Sequence, residues 1–123
     1  MNTAKKNFGA EFGANLLRLM GLHQIVGIEG RHIFGLSPQA ISDLKYRKRQ
    51  PSLSTAHLVS EFFEVPIERL LDTPFGDLLE GDLADAERFL RVENKIEERR
   101  KSAGLRTLKT EMRERARRKR LQA

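Results

Sequence analysis

Apolar residues recur along this chain at intervals of three and four, and Gly, Pro and Ser punctuate them. Phe8, Phe12, Leu16, Leu17, Leu19 and Met20 predict an amphipathic helix over 8–20. Gly21 ends it, while Gly9 and Gly13 weaken it. Over 22–35 the pattern fits a second helix interrupted by Gly27 and Gly30. Ser37 then caps a helix with Pro38 at its first position, where a missing N–H costs nothing. Ile41 and Leu44 give that helix its buried edge, and the run Lys45-Tyr46-Arg47-Lys48-Arg49 ends it. Pro51-Ser52 opens a fourth helix with Leu53, Ala56, Val59, Phe62 and Phe63 on one side. Val65-Pro66 turns the chain into a short fifth helix carrying Ile67, Leu70 and Leu71. Thr73-Pro74 breaks the pattern, Phe75, Leu78 and Leu79 add a last half-turn, and Gly81 closes the unit.

From Asp82 the character changes. Leu83, Ala86, Phe89, Leu90, Val92 and Ile96 form a helical stripe among many charges. Acids lie in its first turns and Arg99, Arg100 and Lys101 in its last, the polarity that matches the helix dipole. Ser102-Ala103-Gly104 predicts a break. Leu105, Leu108 and Met112 give a narrower stripe, and 113–120 holds no apolar residue except Ala116. The pattern therefore predicts an all-α chain, with a five-helix domain within 1–81 and a helical, basic extension over 82–123.

Charge sharpens this division. Residues 1–81 hold nine Lys/Arg and nine Asp/Glu, whereas 82–123 hold fourteen against eight and carry the whole net charge of +6. A sequence pI near 10.1 fits a polyanion partner, and equally a basic tail that aids solubility. The chain has no cysteine, which excludes disulfides and thiolate metal sites. No apolar run has the length of a membrane span and no apolar signal region follows Lys5 and Lys6, so the expected compartment is the cytoplasm, at the nucleoid.

The order of elements between Phe34 and Leu71 is that of a helix-turn-helix with its supporting helices. The second helix of such a pair enters the DNA major groove by its N-terminal end. Here that is 37–46. With Ile41 and Leu44 inward, the base-reading set is Pro38, Gln39, Ala40 and Asp43, with Lys45 beside them. The Gln39 carboxamide can pair bidentately with adenine, and Pro38 and Ala40 can meet a thymine methyl. Asp43 can accept from cytosine N4, reject a wrong base, or orient Arg47. Ser37, Lys45, Arg47, Lys48, Arg49 and Ser52 are expected at phosphates, where contacts position the protein and carry little sequence information.

These 38 residues are similar, without a gap, to the lambda-repressor/Cro family of DNA-binding domains of the xenobiotic-response-element type. The resemblance implies base contacts from Pro38, Gln39 and Ala40. It places Gln24, in Gly21-Leu22-His23-Gln24, in the role of a phosphate-binding glutamine at the start of the helix before the turn. Lys48-Arg49-Gln50-Pro51-Ser52-Leu53 looks like the family's loop into its fourth helix, where Ser52 caps the helix and backbone N–H groups meet a phosphate. The chain departs from the family in the longer stretch between Gln24 and Phe34. Arg31 also stands where a small residue normally packs on the recognition helix, with Gly30 one position away, and Arg47 replaces a common glycine.

The resemblance also implies pairing on a two-fold operator. Leu83, Phe89, Leu90, Val92 and Ile96 are candidates for a homodimer contact. The competing reading folds them back on Phe75, Leu78 and Leu79 of the same chain. Residues 105–120 fit DNA, another protein, or a solvated tail, and Lys5 and Lys6 fit either a DNA-reaching arm or an unused terminus. No catalytic residue, cofactor or metal site is expected. His23, His32 and His57 have no metal spacing, and no nucleophile stands beside a base. The expected function is sequence-specific binding of double-stranded DNA by a transcriptional regulator, a repressor, rather than an enzyme. Three alternatives stand beside it. They are an antitoxin whose extension wraps a toxin, a protein–protein adaptor, and a nucleoid-type binder dominated by its basic tail.

Overall fold

In the computed structural model, which describes residues 9–46, 50–104 and 115–121, every regular element is helical and no strand occurs among the described residues. Helix α1 spans Phe12–Leu22 and turns Phe12, Asn15, Leu16, Leu19 and Met20 inward. It starts against the end of α5 (Ile67–Asp72), where Gly9 N–H donates to Asp72 Oδ1 at 2.9 Å and Glu11 N–H to the Leu71 carbonyl at 3.1 Å. Buried Asn15 explains itself in the same way. Its Nδ2 donates to the Leu70 and Thr73 carbonyls at 2.9 and 2.8 Å, satisfying acceptors that the end of α5 leaves open.

The second helix is shorter than the sequence predicts. A 3₁₀ turn at Gly27–Glu29 runs into a single α-turn, α2, at Gly30–Ile33. Two glycines in so short a segment give it little intrinsic helicity, and it is held by packing on α3 (Pro38–Tyr46) and, more extensively, on α7 (Ala86–Ala103). Gly35, at φ +88°, makes the turn between α2 and α3, with Phe34 and Gly35 N–H both donating to the Gly30 carbonyl. Ser37 Oγ accepts the Ala40 N–H at 3.1 Å, and Ser52 Oγ accepts the Thr55 N–H at 3.1 Å to open α4 (Leu53–Phe63). Both caps lie where the sequence predicts them. Pro66 and Pro74 precede α5 and α6 (Phe75–Glu80).

The core does not stop at Gly81. After a 3₁₀ turn at Asp82–Ala84, the longest helix, α7 (Ala86–Ala103), lies back across the domain and ends at Gly104, φ +68°. Val92 and Ile96 are fully buried in one cluster with Phe12, Ile33, Phe63 and Leu70, and Leu83 belongs to it as well. The division at 81/82 read from the change in charge is therefore displaced, because the buried face of α7 completes the core of the preceding helices.

Cations fasten α7 in place. Arg88 Nη1 donates to the Phe63 carbonyl at 2.6 Å, Lys95 Nζ to the Phe62 carbonyl, and Arg99 Nη1 to the Ile33 carbonyl. Arg100 donates to both Glu29 carboxylate oxygens at 3.0 Å and to the Gln24 carbonyl at 2.8 Å. Phe62 and Phe63 end α4 and Ile33 ends α2, so these side chains meet carbonyls left without helical partners at the negative ends of two helix dipoles. Arg91 pairs with Glu64, a non-glycine residue at φ +56°, at 2.9 Å.

Candidate nucleic-acid interface

The geometry of α3 is fixed from its inner side. Ile41 and Leu44 are buried, and α1 and α2 approach so closely that both contacts require glycine. A Cβ on Gly13 would stand 2.4 Å from the Leu44 carbonyl oxygen. One on Gly30 would stand 2.7 Å from Ile41 Cδ1 and 2.8 Å from the Leu36 carbonyl oxygen. Gly30 is thus the small residue against α3, and Arg31, which the alignment places there, is exposed.

At 100° per residue the side of α3 opposite Ile41 and Leu44 carries Gln39, Ser42, Asp43 and Tyr46. Pro38 and Gln39 are exposed, while Ala40, Ser37 and Asp43 are half-buried. Gln39 Nε2 donates to Asp43 Oδ1 at 3.0 Å, so one helical turn orients the carboxamide. Ser42 and Tyr46 were not among the residues assigned to bases. The angular progression from Ile41 and Leu44 points to both, and Tyr46 is 71% exposed. Lys45 is exposed, with its Nζ 4.6 Å from the Tyr46 ring centroid.

The phosphate assignments divide. Ser37 and Ser52 both cap helices, and Ser52 also donates from Oγ to Thr55 Oγ1 at 3.0 Å. Arg47, Lys48 and Arg49 lie outside the described residues, as do Lys5, Lys6 and 105–114. Gln24 does not open a helix. It sits at φ +56° in the turn after α1, before the 3₁₀ turn that starts at Gly27, and its carbonyl is held by Arg100. The longer stretch after Gln24 separates it from the helix it would have to open.

The stripe assigned to a homodimer contact is mostly spent within the chain. Leu83, Val92 and Ile96 are buried in its own core. Phe89 stacks on the His23 ring, centroids 4.6 Å apart, and Leu90 alone stays exposed, at 60%. The apolar surface expected to pair is therefore largely used by the domain's own core. His23 is buried between Phe63 and Phe89, and its Nδ1 lies 2.7 Å from Glu93 Oε2. Burial lowers its pKa, outweighing the hydrogen bond and charge of Glu93 that raise it, and nearby Arg88 lowers it further.

Beside α3 runs a groove of about 380 Å³, bounded by the last turns of α1 and the 3₁₀ turn. Leu17, Met20, Ile25 and Ile41 line it, together with Ile28, Pro38, Lys45 and Tyr46. Among the described residues no helix is long and apolar enough to cross a membrane, and no group of three or more His, Cys, Asp or Glu side chains could hold a metal ion. Compared with families of proteins, with curated proteins and with solved structures, the chain matches none.

Proposed function

We propose that this chain is a sequence-specific DNA-binding regulator, a repressor, that inserts α3 into the major groove. The observation that carries this reading is the outward face of α3. Gln39, Ser42, Asp43 and Tyr46 face away from the core on a helix whose inner face is locked by the Gly13 and Gly30 contacts. Locking matters because a base-reading side chain has to arrive in register, and α3 cannot roll without driving Leu44 or Ile41 into a neighbouring helix.

In this mechanism Gln39 exchanges its bond to Asp43 for the N6 and N7 edge of adenine, with Asp43 holding the carboxamide plane until DNA arrives. Tyr46 and Pro38 supply apolar contact to a thymine methyl. Lys45 and the cations that follow it in sequence meet phosphates, as does the N-terminus of α4 behind its Ser52 cap. Repression follows from occupancy of the operator. The buried stripe of α7 leaves two-fold pairing to another surface or to the DNA itself.

Selection of bound sites from a random duplex library at about 150 mM salt, where surface charge is screened, tests the reading. An enriched motif is expected, and Gln39→Ala should relax it at one base position by about 1–3 kcal/mol. No enriched motif, or one that Gln39→Ala leaves unchanged at every position, refutes it.

A further inference from the structure

The groove beside α3 is poorly suited to the phosphates that a duplex would lay along it. Its floor is apolar, and its rim exposes Ile28 at 76%, with Val26 next to it at 51%. Seating a phosphate over that floor, away from Ser42 and Lys45 on the α3 side, strips water from a charge without returning a hydrogen bond. Gly21 and Gly27 both line the groove, and a Cβ on either would meet no atom within 4 Å, so among the described residues nothing fills the space beside them. At the α3 end the rim turns cationic. Lys45 lines it and is exposed, and exposed Arg18 precedes the groove-lining Gly21 by one helical turn.

An apolar trough with a cationic rim complements one chemistry in particular. We propose that this groove docks an acidic protein segment anchored by bulky apolar side chains, and that its docking excludes DNA from α3. A second copy of this chain fits badly, since its equivalent face would bring Lys45 against Lys45. A flat anionic lipid surface could meet the exposed Ile28 and Val26 but would leave the concave floor empty. The segment's apolar anchors enter between Met20, Ile28 and Ile41, and its carboxylates meet Lys45 and Arg18. The consequence for DNA rests on the reading of α3 given above, whereas the docking itself does not.

The test uses the full chain against a displayed random library of peptides of about fifteen residues, four helical turns. Enrichment of net-acidic peptides with two bulky apolar residues three or four positions apart is expected. Ile28→Ser and Lys45→Glu should each weaken a selected peptide by about tenfold or more, and that peptide should displace duplex DNA. No enrichment, peptides without acidic and apolar residues, or peptides indifferent to Ile28→Ser each overturn the proposal. So does Ile28-dependent flotation with phosphatidylglycerol vesicles when no peptide is selected, which assigns the face to lipid. Selection of duplex sites, run separately on the same protein, keeps the two readings apart. Peptide binding without a DNA motif leaves the groove standing and removes the regulator, and a motif without peptides does the reverse.

Discussion

Gly13→Ala is the substitution that most directly probes how α3 is held. On helix propensity alone it should stabilise α1, by up to about 1 kcal/mol. The structure reverses the sign. The new Cβ would stand 2.4 Å from the Leu44 carbonyl oxygen, against 3.4–4 Å for ordinary contact, so α1 and α3 must part by about 1 Å. The obstacle is backbone, and it cannot rotate aside as a side chain would. Overpacking of this kind costs about 1–3 kcal/mol, which leaves a net loss of up to about 2 kcal/mol after the full propensity gain. Gly21→Ala in the same helix is the control. Its Cβ meets no atom within 4 Å, and it should stabilise the protein by about 0.5–1 kcal/mol. Urea midpoints at constant m-value read both changes. If Gly13→Ala stabilises the chain as Gly21→Ala does, the crossing of α1 over α3 is looser than described and the argument that α3 is locked in register fails.

Three further outcomes follow from α7. A chain ending at 81 should lose its cooperative urea transition, because it lacks Val92 and Ile96, whereas a chain ending at 104 should keep it; within the full chain Ile96→Ala should cost about 2–4 kcal/mol. Arg88 is only 3% exposed and donates to the Phe63 carbonyl, and its Nε and Nη2 have no protein partner among the described residues, so Arg88→Met should be near neutral by thermal denaturation and Arg88→Ala costly, by about 2–4 kcal/mol. For His23, whose pKa is lowered on folding from 6.5, the unfolded chain binds the proton more readily; its contribution to stability is present above pH 6.5 and is lost as pH falls through the folded value, so the urea midpoint should drop on acidification and drop less in His23→Gln.

What could be read in the sequence was local. Ser37 before Pro38 and Ser52 after Pro51 announce helix starts because a cap acts within three residues of itself, and both caps form as expected. Gly104 marks the end of α7 for the same reason. The one-turn α2 could not be read, since its helicity comes from packing on α7 and α3 and its composition argues against it. Nor could Gly13 and Gly30 be told from helix-weakening glycines, because the atoms they accommodate, at Leu44 and at Leu36 and Ile41, lie elsewhere in the chain. The stripe of Leu83, Val92 and Ile96 carries the same periodicity whether it meets a partner or its own domain, and only the folded chain distinguishes the two.

The cations of α7 carry the same ambiguity into electrostatics, and it changes where a polyanion can be held. Between 82 and 104 there are six Lys/Arg and six Asp/Glu, so that stretch is balanced. Five of its six cations, Arg88, Arg91, Lys95, Arg99 and Arg100, are engaged with backbone carbonyls or with Glu64 and Glu29. The excess of +6 lies wholly in 105–123, with eight Lys/Arg against two Asp/Glu. Removing that tail should therefore take most of the salt dependence of any DNA binding with it, each phosphate neutralised there contributing about 0.9 to the slope of log K against log salt. On the proposed reading, base discrimination by α3 should survive the truncation, because the Gly13 and Gly30 contacts that hold α3 do not involve the tail. Equal loss of affinity on operator and scrambled duplex is the expected pattern. A truncation that narrowed the ratio between them would place part of the readout in the tail.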